Sequence, residues 1–279
     1  MKALPDLIRS SLVLCTFLLC FIPGAGAQVI TPNTITFSNH QVQASFTLPS
    51  SLDLAVSLEF DQAIGLHAAN LSLTAQVLSP TDPRIVDRLP SSVAAVSGFP
   101  VLVSVVPDPQ QGFAFAGAAN IELYTQALHY DPNIAWRLFT SHDGETFEDI
   151  TTLTTAGSYR ARGSTGRFSD FIILLDSRAP QAIIRHKVQR LSDAIYDNQD
   201  LLPAPLSLTL DTLLRSLQTA LLLLNNQAAL LATDELIALL ENTSGSVIPD
   251  VWRADGAITN VRGELLARLY TLRYSLRTL

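Results

Sequence analysis

Two hydrophobic periods divide the chain at about Asp176. Before it, apolar residues alternate with polar ones; after it, they recur three and four positions apart. Alternation places side chains on opposite faces of a strand, whereas the longer spacing lines one side of a helix. The alternating half predicts strands at Ile35–Phe37, Val42–Leu48, Leu54–Phe60, Leu71–Val77, Phe113–Phe115, Ile121–Tyr124, Ile134–Leu138, Phe147–Thr151, Tyr159–Arg162 and Phe168–Leu175. Val101–Val106, between Pro100 and Pro107, is a continuous apolar strand. His142-Asp143-Gly144-Glu145 predicts a hairpin turn, because glycine accepts the positive φ such a turn requires. Ser79–Pro90, punctuated by Pro80, Pro83 and Pro90, reads as a long mobile loop with a helical turn near Ile85–Leu89. Many short strands joined by turns predict a sandwich or an open barrel, and the sandwich is preferred.

The second half predicts helices. Ile184, Val188, Leu191 and Ile195 share one face of a helix begun by Pro180. Leu210, Leu214, Leu217, Leu221 and Leu224 repeat the spacing until Asn225-Asn226 breaks it. A third helix runs from about Gln227 to Glu241, and Gly245 and Pro249 end that section. Thr259 or Asn260 caps a fourth, marked by Val261, Leu265, Leu269, Leu272 and Leu276. The fold class is therefore α+β and segregated: an antiparallel β-sandwich over residues 28–177, then a three- to four-helix bundle over 178–279. No formal charge lies between Arg215 and Asp234, but polar interruptions keep every apolar run short of the roughly 20 residues a span needs, so no transmembrane segment is expected after the leader.

That leader is residues 1–27. Lys2 and Arg9 precede an apolar run from Leu12 to Ile22, and Ala25-Gly26-Ala27 is a small-residue cleavage site, so the mature chain starts at Gln28 and is secreted or periplasmic. Both cysteines, Cys15 and Cys20, lie inside it, each preceded by leucine, which argues against lipid anchoring. The mature chain must fold by core burial without a disulfide. From Gln28 to Ser177 the net charge is −8, and from Arg178 to Leu279 it is zero. An acidic first half argues against nucleic acid or an anionic membrane as a partner. Lys187 is the only lysine after the leader, a usage read as codon bias.

Candidate chemistry is sparse. His40, His67, His129, His142 and His186 show no helical zinc spacing. Ser141-His142-Asp143 spells triad letters, but adjacent strand residues point apart and cannot converge. His129-Tyr130-Asp131 reads as surface, and Gly163-Ser164-Thr165-Gly166 reads as a turn between strands. Asp255-Gly256 resembles the middle of a calcium loop, yet Val251, Arg253 and Arg262 occupy the ligand positions. Glu145, Glu148 and Asp149, like Asp193, Asp197 and Asp200, read as solvated acidic faces. Arg160, Arg162 and Arg167 surround the last hairpin; Arg160 and Arg162 share a strand face and could take a carboxylate or phosphate. Trp252, alone in a proline-bounded linker, reads as an anchor tying that linker to the bundle or the sandwich. Trp252, Arg160 and Arg162 are thus the candidate partner or ligand contacts; no catalytic, cofactor-binding or metal-ligating residue is assigned.

Residues Ala135–Ile173, carrying Trp136-Arg137-Leu138-Phe139, Phe147-Glu148-Asp149-Ile150-Thr151, Gly157-Ser158-Tyr159-Arg160-Ala161-Arg162 and Phe168-Ser169-Asp170-Phe171, resemble the β-domain of an uncharacterised family of secreted bacterial proteins. Ile248-Pro249-Asp250-Val251-Trp252-Arg253 and Thr271-Leu272-Arg273-Tyr274-Ser275-Leu276 are similar to the same family. The helical half is also loosely similar to small helical modules that end some bacterial exported proteins. The resemblance implies a domain of unknown function and supplies no catalytic residue. Three readings follow: a non-enzymatic exported binding or envelope-associated module, which is favoured; a secreted hydrolase using carboxylates such as Asp131, Glu148 or Asp170; and a subunit of an exported assembly, docking on another envelope or exported protein through its helices.

Overall fold

The computed structural model describes residues 28–155 and 158–279; the leader expected at residues 1–27 lies outside the described residues. In chain order the elements are β1 (Val29–Ile30), β2 (Thr34–Phe37), β3 (Gln41–Leu48), β4 (Leu52–Ile64), β5 (Leu71–Val77), α1 (Pro83–Val86), β6 (Val93–Ala95), β7 (Val101–Pro107), β8 (Ala114–His129), β9 (Trp136–Ser141), β10 (Glu148–Asp149), β11 (Thr151–Thr155), β12 (Ser158–Thr165), β13 (Asp170–Asp176), α2 (Pro180–Asp197), α3 (Ala204–Leu222), α4 (Asn226–Glu241), β14 (Val251–Arg253) and α5 (Val261–Arg277). The fold is α+β: two antiparallel sheets, then helices in the C-terminal half.

One sheet has the order β1-β5-β7-β13-β9-β10 with β6 beside β13; the other has β11-β12-β8-β4-β3-β2 with β14 beside β8. They face each other in a sandwich-like arrangement. Alternate residues such as Val42, Val56, Leu58, Ile121 and Leu123 of one sheet meet Leu73, Val103, Leu138, Phe171 and Ile173 of the other in a shared core. The first sheet is buried on its outer face too, where Leu102, Phe139, Ile172 and Leu174 pack on Ile85 and Val93. That double burial is why β7 and β13 read as continuous apolar runs.

The structure corrects three expectations here. Ser79–Pro90 is tied down rather than free: Ile85 is fully buried, Asp82 caps α1, and Arg88 pairs with Asp170 at 2.9 Å. Phe113–Phe115 and Ile121–Tyr124 belong mainly to one long strand, β8, interrupted by a bulge at Gly117, whose φ of +72° suits glycine. Gly163-Ser164-Thr165 is strand interior, paired with Ile121-Asn120-Ala119, and not a turn. A Cβ on Gly163 would come within 2.7 Å of Ile150 Cδ1, so the glycine permits close approach where the chain crosses between the sheets.

The crossing is a single residue. β10 pairs with β9 in one sheet, β11 pairs with β12 in the other, and Ile150 bridges them by donating to Leu138 O and accepting from Ser164 N. The helices pack on this corner. α5 lies against α2 and α4 on one side and against β8, β11 and β12 on the other. Its leucines, Leu265, Leu269, Leu272 and Leu276, enter the helical core, while Gly263, Ala267, Thr271 and Ser275, four apart, form a second buried row of small residues. Asn260 sets the start of α5: its Oδ1 accepts from Gly263 N at 2.9 Å, and its Nδ2 donates to Gly117 O at 2.7 Å and Gly166 O at 3.3 Å.

β14, inside the predicted helical half, is a strand of the second sheet. β12 covers the edge of β8 as far as Ala119, and β14 resumes at Ala116, with Gly117 N donating to Asp250 O across the bulge. Trp252 accordingly anchors its linker to the sandwich: its ring lies 5.3 Å from Phe115, 5.7 Å from Phe168 and 6.1 Å from Phe113.

Candidate functional site

Six charged side chains converge at the corner where β10, β12, α2 and α5 meet. Its parts come from distant sequence: Glu148 and Asp149 from the strand edge, Lys187 and Arg190 from α2, Glu264 and Arg268 from α5. Lys187 Nζ lies 2.7 Å from Asp149 Oδ2 and donates to Thr271 O at 3.2 Å. Asp149 Oδ1 accepts from Thr151 N at 2.9 Å. Glu148 is clamped between Arg190 and Arg268, the latter at 3.2 Å, and Arg268 also holds Glu264 at 2.8 Å. Glu148 and Asp149 are therefore not a solvated acidic face. Asp149 is buried and Glu148 partly so, a position that is tolerable because cations from the helices neutralise them.

The electrostatics follow from that pairing. Burial resists ionisation of Asp149, but Lys187 and the Thr151 donors outweigh it and hold the carboxyl below its ordinary range. Burial likewise opposes ionisation of Glu148, and Arg268 and Arg190 overcome it. Half-buried His186 is pushed below the usual histidine range, first by burial and then by Arg178. Both carboxylates are thus fixed as anions, the opposite of what proton donation to a leaving group requires. The cleft among these residues encloses about 70 Å³, against the roughly 300–1,000 Å³ of pockets that engulf drug-sized ligands. Ser164 Oγ, Arg190 Nε and Arg268 Nε are shielded in its walls without a hydrogen-bond partner.

The other carboxylates considered for hydrolysis are engaged elsewhere. Asp170 accepts from Arg88 at 2.9 Å and from Ser104 Oγ at 2.5 Å. Asp131 organises its own turn by accepting from Asn133 N at 2.8 Å. His142 Nδ1 donates to Phe168 O at 2.9 Å, and Arg167 stands 3.8 Å from Glu145.

Arg160 and Arg162 share the outer face of the second sheet. Both close on Glu122, at 2.6 and 3.1 Å, and Arg160 also lies over the Tyr124 ring at 5.0 Å. Their charge is already matched within the sheet. Beside this face a groove of about 410 Å³ runs along α5, lined by Asn120, Leu153, Tyr270, Arg273, Tyr274 and Arg277 among others.

A different feature stands at the far end of the helices. α3 and α4 form a hairpin whose turn exposes Leu222, Leu223 and Leu224 by 83, 74 and 79 %. Leu231 on the outer side of α4 is exposed as well. Leu224 has a φ of +55°, a left-handed conformation that leucine adopts only with strain. Asn225 Oδ1 then caps α4 by accepting from Ala228 N at 3.0 Å.

Sequence reasoning missed the charged corner and passed over the leucine turn. Lys187 carried the signal for the first, because it falls within the apolar stripe of α2 beside Ile184, Val188 and Leu191. The leucine spacing predicts Leu224 on the apolar face of its helix, and the structure places it outside, because the helix ends at Leu222 and the left-handed turn redirects it.

Comparison with curated proteins finds no match. A family model covers residues 15–279, nearly the whole chain, and carries no activity over to the charged corner, the arginine pair or the leucine turn. The protein belongs to that family, a family of unknown function (DUF6689).

Proposed function

We propose that the protein is an exported, non-enzymatic module associated with the cell envelope, in which a β-sandwich and a helical bundle form one body and the α3–α4 turn is the docking element. The observation that carries this reading is the exposure of Leu222, Leu223 and Leu224 side by side. A fully buried leucine gains about 1.5–3 kcal/mol over an exposed one, so three at one turn are a standing driving force for association. The charged corner supports a scaffold role, since its carboxylates are fixed as anions by arginine and lysine. The leader at residues 1–27 and the resemblance to secreted bacterial proteins support export. The −8 charge of the sandwich half supports a partner other than nucleic acid.

The test is capture from envelope extract by residues 28–279, compared with the L222S/L223S/L224S variant. These side chains are exposed, so the variant should fold normally. Envelope material retained by the natural chain and lost by the variant supports the reading. Equal retention, or turnover of esters, glycosides or peptides by the purified protein, overturns it.

A further inference from the structure

We infer that the α3–α4 turn seats in the interfacial layer of a lipid bilayer, an inference that rests on the docking role proposed above and names the partner. The first argument is shape. Residues Leu222 to Gln227 are exposed without a break around a convex tip. Partner grooves take helix anchors at i, i+3, i+4 and i+7 along one face. Leu222 ends the helix, Leu223 follows roughly 100° around it, and the left-handed backbone redirects Leu224, so the three leucines point in different directions. No single groove receives all three, whereas an apolar fluid does.

Charge supplies the second argument. The nearest formal charges on either arm are Arg215 and Asp234. At about 1.5 Å per residue they stand roughly 10 Å and 12 Å along their helices from the turn. A stretch of that depth without formal charge on either arm of the hairpin matches the roughly 5–10 Å to which interfacial helices bury their apolar faces. Exposed Arg215 then falls at the level of lipid phosphates on the α3 arm, while on the α4 arm Asp234 is paired with Arg273 at 3.5 Å and exposed Glu235 marks the depth at which insertion stops. Leu231 lies within the same stretch. Asn225 enters with its side-chain oxygen already engaged by Ala228 N, and Asn226 and Gln227 meet the polar ester layer. The seat is interfacial, since no described helix is long and apolar enough to cross a membrane.

Leu224 supplies the third. Glycine or asparagine would relieve its left-handed backbone and lower its solvation cost together. A leucine there costs the free protein twice, and insertion of the side chain into lipid recovers the solvation part.

Co-sedimentation of residues 28–279 with vesicles tests this, using phosphatidylcholine alone and equal parts phosphatidylcholine and phosphatidylglycerol. The expected result is binding to both, reduced about a hundredfold by L222S/L223S/L224S with an unchanged melting temperature. Arg215→Gln should weaken binding about fivefold on the anionic vesicles and little on the neutral ones. A tryptophan placed by Leu223→Trp should shift its emission to the blue on vesicles and be quenched by brominated lipid. Absence of vesicle binding, or equal binding by the triple variant, overturns the inference. If vesicle binding is absent but an envelope protein is still captured through the same leucines, the lipid assignment fails while the docking role stands.

Discussion

Lys187 Nζ and Asp149 Oδ2 lie 2.7 Å apart with 7 % and 2 % of their side chains exposed, and this pair joins the first helix after the sheets to the strand edge where the chain crosses between them. Such a pair holds geometry more than it adds stability, because desolvation of the two ions offsets much of their attraction. Lys187→Met should therefore destabilise the fold by about 3–5 kcal/mol, since it leaves Asp149 buried and unmatched. Adding Asp149→Leu should recover most of that loss. Urea unfolding of the two single variants and the double variant measures the coupling, and additive losses would show that the pair is not the joint described here.

Acid should loosen the same corner in two stages. Histidine ordinarily titrates near pH 6.5, and His186 is lowered by burial and by Arg178. A lowered folded value means the unfolded state binds the proton first, so stability is complete above about pH 6.5 and declines as pH falls through the folded value. Glu148 and Asp149, also lowered, add a second loss that begins below about pH 4.5. Melting temperature followed against pH should show both stages. His186→Gln should remove the upper one and leave the lower; an unchanged profile would contradict the assignment.

The approach of α5 to the sheets depends on Gly263. A Cβ there would collide with Gly117 O and with the Asn260 side chain. Gly263→Ala should cost about 2 kcal/mol or more through backbone overlap. Asn260→Ala should cost about 1–3 kcal/mol, because it removes the cap of α5 and the donor shared by Gly117 and Gly166. Thermal melts report both, and a neutral Gly263→Ala would mean that α5 sits further from β8 than described.

Relieving Leu224 should separate stability from binding. Leu224→Gly removes a strained left-handed leucine and should stabilise the protein by roughly 1 kcal/mol. The same change should weaken vesicle binding about tenfold. Chemical denaturation alongside co-sedimentation distinguishes the two effects; a loss of stability would show that the turn is not strained.

Much of the architecture was legible from period and turn chemistry. Val42–Leu48 and Leu71–Val77 appear as β3 and β5 almost residue for residue, and Pro180, Asn225-Asn226 and Asn260 mark helix boundaries as their backbone chemistry requires. The misreadings share a cause. Gly163 has turn composition, yet its role is set by Ile150, and Glu148-Asp149 looks solvated until Lys187, Arg190 and Arg268 arrive from helices far along the chain. Local pattern carries information about which face is apolar, but not about which remote side chain comes to stand opposite a charge.

β14 bears on how the protein is made. The edge of β8 at Ala114–Ala116 waits for Val251–Arg253, so during synthesis from the N-terminus the sheet is left unfinished until more than a hundred further residues have been made. Through that interval the open backbone groups, with Phe113, Phe115 and Phe168 lacking their Trp252 cover, form a template on which a second nascent copy can pair. A chain whose folding starts only after Val251–Arg253 has been made never presents that half-built edge, which makes late folding the safer order of events for this topology.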